Sequence, residues 1–181
     1  MVIVKQAADF ITLARAILAF WLAWLGLNQA ADSLPLVVWL MIANWTGDSL
    51  DGPLARRSRV SYQTWIGAHD LEVDVLVSLG LLAYLVAAGF LSWAAAGLYL
   101  LLWLVIFWRL GGFRSLEMLV QAPIYGWFIW VALRHAPQAG RWIIAWIVAA
   151  IIVTWPHFPR DIVPGFLAGM RQVGHRRPGG G

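Results

Sequence analysis

Acidic residues are concentrated in one short part of a chain that is otherwise mostly apolar. Five of its nine acidic residues lie between positions 48 and 74, namely Asp48, Asp51, Asp70, Glu72 and Asp74. They stand at the end of one apolar stretch and at the start of the next, where a carboxylate beside hydrocarbon is costly unless a partner neutralises it. Divalent metal ions are natural partners for carboxylates that cannot pair with one another. We therefore expect this cluster to carry the function of the protein.

Helical spacing arranges four of these carboxylates as two pairs. Asp48 and Asp51 are three residues apart, so they share one face of a helix. Asp70 and Asp74 are four residues apart and do the same. A tight turn through Gly52–Pro53 is expected to bring the two helices together as antiparallel neighbours. Four converging carboxylates could bind two divalent cations and leave coordination positions open for phosphate oxygens.

The residues beside the first acidic pair suit a phosphate-bearing ligand. Gly52 has no side chain, so a nucleotide can approach the backbone closely, and Ala55 keeps the same wall small. Arg56 can bind phosphate oxygens through its bidentate fork. The combination predicts a metal-bound diphosphate site with a further carboxylate available as a base. The structural alternative is that the first pair is only the solvated end of a helix and that the arginines only determine topology.

The composition is that of an integral membrane protein. Of 181 residues, 61% are hydrophobic and 12% are charged, and the mean hydropathy is +0.73. A soluble domain of this length would be about half apolar and about one quarter charged. The net charge is +4, and the basic residues lie beside apolar segments. Membrane topology and anionic lipid headgroups therefore explain this charge better than nucleic acid does. The absence of cysteine excludes disulfides, thiolate ligands and thiol nucleophiles.

Six apolar segments approach the length of about 20 residues that crosses a bilayer. They are residues 10–27, 34–51, 64–88, 92–110, 116–133 and 142–155. The expected fold class is all-α, a polytopic membrane bundle of six transmembrane helices with short interfacial helices at the termini. Those terminal pieces are residues 1–9 and 160–173, the latter with apolar side chains at helical spacing. Residues 1–174 would form one membrane domain and residues 175–181 a disordered tail.

The basic residues predict the orientation of the bundle. With the N-terminus in the cytoplasm, eleven Lys and Arg residues lie on the inside and only Arg134 and Arg141 on the outside. Both termini and the acidic cluster are therefore expected to face the cytoplasm, with the protein in the cytoplasmic membrane.

The acidic stretch also carries a recognisable motif. It resembles that of the CDP-alcohol phosphotransferase family, Asp-x-x-Asp-Gly-x-x-Ala-Arg, a spacer, and then Gly-x-x-x-Asp-x-x-x-Asp. The matching residues are Asp48, Asp51, Gly52, Ala55, Arg56, Asp70 and Asp74. Thr12 and Arg15 are similar to the Thr-x-x-Arg that is often found in the first membrane helix of the family.

One position departs from the family motif. Gly67 precedes Asp70 by three residues, whereas the motif has four, and Ile66 stands at the expected glycine. His69 and Glu72 are not part of the motif. Glu72 projects to a different helix face and could pair with a basic residue such as Arg15.

The resemblance implies a reaction and a site. The donor is a CDP-linked alcohol, most often CDP-diacylglycerol, and the products are a phosphodiester and CMP. Two ions of Mg²⁺ or Mn²⁺ are implied, with ligands Asp48, Asp51, Asp70 and Asp74. Asp74 is expected to be the general base on the acceptor hydroxyl. The donor is expected to contact Gly52, Ala55, Arg56 and Gly67, and a homodimer is implied.

The acceptor and two other readings stay open. Arg109 and Arg114 could receive a phosphate-bearing acceptor or could only determine topology, and no residue separates glycerol phosphate, serine, inositol phosphate or choline. Within the enzyme class, the donor could instead be a small CDP-alcohol such as CDP-choline. From other classes, the acids could mark a cation transporter, or the chain could be a membrane assembly protein without activity. The crowding of the acids at one surface disfavours a transport path.

Overall fold

Helices make up almost all of the chain that the structure describes. The computed structural model describes the backbone of residues 2–57, 70–111, 114–155 and 164, and the side chains of residues 10–49, 72–111, 115–155 and 164. These residues form six α-helices and no strand, which confirms the all-α class. The helices are α1 (Val2–Gln29), α2 (Leu34–Arg57), α3 (Asp70–Ala87), α4 (Trp93–Leu110), α5 (Arg114–His135) and α6 (Pro137–Thr154). A 3₁₀ turn, Ala30–Ser33, joins α1 to α2.

Four helical stretches in the described chain are long and apolar enough to cross a membrane. They are Phe10–Ser49, Trp93–Leu110, Ser115–His135 and Pro137–Thr154. The first has 40 residues and includes the apolar parts of both α1 and α2. Helix α3 has 18 residues, but its first turns carry three carboxylates. The helices therefore indicate a membrane protein, while the number of six spans stays a prediction.

Large apolar side chains cover much of the outside of these helices. Trp93, Trp108 and Val153 are 76%, 80% and 83% exposed. A soluble protein rarely exposes apolar area on this scale, because water penalises it, whereas lipid chains do not. The outer surface thus agrees with the apolar composition.

Helices α1 and α3 pack most closely, and small residues allow it. A Cβ atom added to Gly80 would lie 2.3 Å from the backbone oxygen of Ala19, and one added to Gly26 would lie 2.9 Å from the Cα atom of Tyr84. Backbones approach this closely only where one residue lacks a side chain. Both contacts advance in the same chain direction, so α1 and α3 run parallel. This pairing brings Arg15, one turn before Ala19, to the level of the first turns of α3.

The remaining helices enclose a core around that pair. Fully buried side chains from α1, α2, α3 and α5 meet in it, among them Leu22, Val37, Met41, Tyr84 and Phe128. Helix α6 packs on α5, where Gly140 lies against the backbone of Ala132, and on α2, where the Trp146 Nε1 donates a hydrogen bond to the Thr46 Oγ1 at 2.9 Å. Helix α4 lies at the edge, where Trp103 packs on Leu116 and Val120 of α5.

The expected turn at Gly52–Pro53 is wrong. Helix α2 continues through both residues to Arg57. Proline normally disfavours the α conformation of the residue before it, because its ring clashes with that residue's Cβ. Gly52 has no Cβ, so much of the clash is absent, and the helix loses mainly the backbone hydrogen bond that Pro53 cannot donate.

The ends of other helices also differ from expectation. Residues 2–9 are not a separate lead-in but the start of α1, which continues without a break because no Gly or Pro interrupts the chain before Gly26. The gap between the expected segments 116–133 and 142–155 is mostly helical, since α5 continues to His135 and α6 begins at Pro137, a residue favoured in the first turn of a helix. The expected interfacial helix at 160–173 and the tail at 175–181 lie outside the described residues, apart from Pro164.

Candidate functional site

A buried arginine lies at the point where the first three helices meet. Arg15, in α1, carries a charged side chain, yet the residue is only 4% exposed. Its Nη1 lies 3.1 Å from the Oδ1 of Asp48 in α2, and its Nη2 donates to the Oδ1 of Asp74 in α3. Its Nε donates to the Oδ1 of Asn44, one turn before Asp48, at 3.2 Å. One side chain thus connects α1 with both neighbouring helices.

These contacts bring two of the expected site residues together. Asp48 lies toward the end of α2 and Asp74 near the start of α3, and both carboxylates contact the same planar guanidinium. Their side chains keep 44% and 23% exposure, so a diffusible ligand can reach both. A guanidinium between two carboxylates leaves a local charge of −1.

The other expected site residues are described only in part. Asp51, Gly52, Ala55 and Arg56 belong to α2 and Asp70 begins α3, but only their backbones are described. Because α2 is continuous, Asp51 follows Asp48 on the same helical face, as Asp70 precedes Asp74 on α3. Gly67 and His69 lie outside the described residues.

The described side chains alone do not form a complete metal site. Among them, no group of three or more Asp, Glu, His or Cys residues is placed to hold a metal ion. Asp51 and Asp70 are not in that set, so the four-carboxylate arrangement stays a prediction. The two described carboxylates provide the hard oxygen donors that Mg²⁺ and Mn²⁺ prefer.

The suggested pairing of Glu72 with Arg15 is wrong. Arg15 contacts Asp48 and Asp74, whereas Glu72 is exposed and takes part in none of the described ion pairs. The reason is helical geometry. Glu72 is two residues from Asp74, so the two side chains point to different faces of α3.

Helix α5 contributes a side of the site that sequence analysis missed. The Tyr125 hydroxyl donates to the Oε1 of Gln121 at 3.3 Å, and its electrostatic environment includes Asp74, Arg15 and Asp48. The Tyr125 ring packs edge-on against Trp45, with centroids 5.6 Å apart. The sequence signal was the presence of two polar residues four apart, Gln121 and Tyr125, in an apolar segment.

The expected acceptor residues are at the α4–α5 connection. Arg109 is exposed at the end of α4, with its guanidinium 5.7 Å from the ring centroid of its neighbour Trp108. Arg114 begins α5, and its side chain is outside the described set.

An apolar groove runs along α1 and α2 past the buried arginine. It has a volume of about 450 Å³, and Arg15 and Asn44 contribute polar groups within its length. Apolar side chains line the rest, including Phe10, Ile17 and Trp21, which are all well exposed on the outside of the bundle. A cavity of about 520 Å³ lies near the other end of α2 and contains no carboxylate.

Comparison with known protein families, curated proteins and solved structures gave no match to the chain.

Proposed function

We propose that the protein is a divalent-metal-dependent CDP-alcohol phosphotransferase of the membrane. It transfers the phosphatidyl group of CDP-diacylglycerol to an alcohol and releases CMP, a step of phospholipid synthesis. The observation that carries the proposal is the meeting of Asp48 and Asp74, from different helices, at one guanidinium. The motif requires this convergence.

The site residues fit a divalent cation. Asp48 and Asp74 would hold it, together with Asp51 and Asp70, which follow on the same helical faces. When bound, the cation neutralises charge that develops on the departing CMP. Arg56, Gly52, Ala55 and Gly67 would contact the CDP donor.

Asp74 is the base in this proposal. Its carboxylate takes the proton of the acceptor hydroxyl while the hydroxyl oxygen attacks the β-phosphorus of the donor. A new oxygen–phosphorus bond forms, the bond from the β-phosphorus to the bridging oxygen breaks, and CMP leaves with that oxygen. The Asp74 side chain is 23% exposed and the Asp48 side chain is 44% exposed. The lower exposure of Asp74 suits a base, because less water competes with the acceptor hydroxyl for its carboxylate.

The proposed topology has six spans, cytoplasmic termini and a cytoplasmic site, in a homodimer. It is supported by the distribution of basic residues and by the contact that Arg15 makes with Asp48, in the second half of α2, and with Asp74, near the start of α3. A site at that end lets the acyl chains stay in lipid while the nucleotide and the acceptor enter from water.

The α1–α2 groove favours a lipid donor over a small CDP-alcohol. It is apolar along its length, open to the outside of the bundle, and polar only where it reaches Arg15 and Asn44. An acyl chain matches such a lining, whereas the choline group of CDP-choline does not.

Filling this groove is expected to slow transfer from a long-chain donor. Ala43 is an exposed residue of the lining, and Ala43→Trp would place an indole where the acyl chain lies. Loss of burial for two methylene groups corresponds to about tenfold slower use of CDP-dioleoylglycerol at low concentration. CDP-dibutanoylglycerol, which is too short to fill the groove, should be used at the unchanged rate.

The matched control is Ala94→Trp, which adds the same side chain to an exposed position of α4. It should leave both donors unaffected. Equal loss with both donors in Ala43→Trp would show that the indole acts on the site itself and not on an acyl chain.

The proposed function is tested by CMP release. Purified protein is incubated with CDP-diacylglycerol, Mg²⁺ or Mn²⁺, and a panel of alcohols that includes glycerol phosphate, serine and inositol phosphate. We expect CMP only when metal and one acceptor class are both present, and none after chelation by EDTA. Absence of CMP with every acceptor, or cation flux into proteoliposomes without CMP release, would refute the proposal. Preference for CDP-choline would refute the lipid donor alone.

A further inference from the structure

Arg15 is a fixed positive charge inside the proposed cation site. Guanidinium groups stay protonated under all physiological conditions. Here the group is 4% exposed and makes contacts to Asn44, Asp48 and Asp74, so it cannot leave without giving up charge-assisted hydrogen bonds in a buried setting.

The helix packing also keeps Arg15 in place. Ala19, one turn later in α1, lies against Gly80 of α3 with almost no space between the backbones. Movement of α1 away from α3 would break this contact, so the packing opposes withdrawal of the guanidinium. Any cation that binds Asp48 and Asp74 must bind close to this positive charge.

The charge balance determines what such a cation meets. Arg15 lowers the negative charge of the site by one, from −2 to −1 for Asp48 and Asp74 and from −4 to −3 when Asp51 and Asp70 are included. At about 5 Å, and even with the dielectric constant of water, repulsion between a monovalent and a divalent cation weakens binding about tenfold. A ligand that brings negative charge, such as a diphosphate, would offset this repulsion.

We infer that Arg15 weakens divalent-cation binding to the site on its own and thereby couples cation binding to arrival of the anionic donor. This inference rests on the proposed function, because it assumes the same cation and the same donor. Cation and diphosphate then favour each other's binding, so the carboxylates hold the metal more tightly once a nucleotide is present. Arg15 acts as a positioning residue, since its effect on the cation and the donor passes through the carboxylates that it contacts.

Binding of Mn²⁺ to the purified full-length protein tests the inference without any measurement of turnover. Free Mn²⁺ is followed by electron paramagnetic resonance, with and without CDP. For the unaltered protein we expect CDP to tighten Mn²⁺ binding at least about tenfold. Arg15→Gln removes the charge, so Mn²⁺ alone should bind about tenfold more tightly, and CDP should add less.

Two variants separate charge from shape. Arg15→Lys keeps a positive charge, so its Mn²⁺ affinity should stay within about threefold of the unaltered protein. Arg141 is an exposed arginine of α6 whose Nε donates to the carbonyl of Pro137. Arg141→Gln removes its charge and should leave the Mn²⁺ affinity unchanged. Thermal unfolding should show a lower midpoint for Arg15→Gln in EDTA and a larger gain from Mn²⁺ than in the unaltered protein.

The outcomes are distinguishable from those of the proposed function. Equal or weaker Mn²⁺ binding by Arg15→Gln would overturn the inference and leave the enzyme proposal standing. If that variant does not fold, lack of any CDP effect on Mn²⁺ binding by the unaltered protein would overturn it equally. Absence of Mn²⁺ binding with and without CDP, together with absence of CMP release, would overturn both.

Discussion

Asp74→Asn is expected to lower CMP release at least about a hundredfold, while Mn²⁺-dependent binding of CDP falls only about tenfold through the loss of one charge beside the cation. A positioned base contributes about 10²- to 10⁴-fold to the rate, and an amide cannot take the proton of the acceptor hydroxyl. The fold should persist, because the amide oxygen of asparagine can still accept the hydrogen bond that Arg15 donates to Asp74. The measurements are CMP release at saturating donor and CDP binding in the presence of Mn²⁺.

Glu72→Gln provides a matched control for that variant. It changes an exposed carboxylate two residues earlier on the same helix, and we expect the rate of CMP release to stay unchanged. Near-normal turnover of Asp74→Asn would remove Asp74 as the base. Loss of CDP binding together with turnover would instead make it mainly a cation ligand.

Gly80→Ala is expected to have the largest effect on stability. Its new Cβ atom would lie 2.3 Å from the backbone oxygen of Ala19, so α1 and α3 must separate. Overpacking of this kind costs about 1–3 kcal/mol. Thermal unfolding in detergent should show a lower midpoint. CMP release should fall as well, because separation of the helices withdraws Arg15 from Asp74.

Gly97→Ala is the corresponding control in α4. A Cβ atom at this position has no neighbour within 4 Å, so the substitution should be neutral or should stabilise the helix by up to about 1 kcal/mol. Equal unfolding midpoints for the two alanine variants would show that α1 and α3 are not packed backbone to backbone at Gly80.

The sequence predicted the helical class and the approximate place of each helix, but not the helix ends. Long apolar runs with intervening Gly and polar residues require helices in lipid, where every backbone group must be satisfied within its own segment. The ends depend on smaller energies. Gly52–Pro53 is a strong turn signal, yet α2 continues through it, because glycine removes the clash that usually precedes proline.

The candidate site was predictable only where it depends on residue spacing within one helix. The spacing of Asp48, Asp51, Asp70 and Asp74 is readable along single helices. The role of Arg15 in joining three helices cannot be read from such spacing. Its contact with Asp74 spans 59 positions and depends on which helices become neighbours. The approach of Tyr125 from α5 depends in the same way on the tertiary arrangement.

The long reach of Arg15 has a consequence for how the chain enters the membrane during synthesis. Asn44 and Asp74 follow Arg15 by 29 and 59 residues, so both partners are translated after it. An arginine in an isolated apolar helix costs about 2.5–3.5 kcal/mol at the helix centre. We therefore expect α1 to reach its final position only after α3 has been translated, so that the first three helices assemble together.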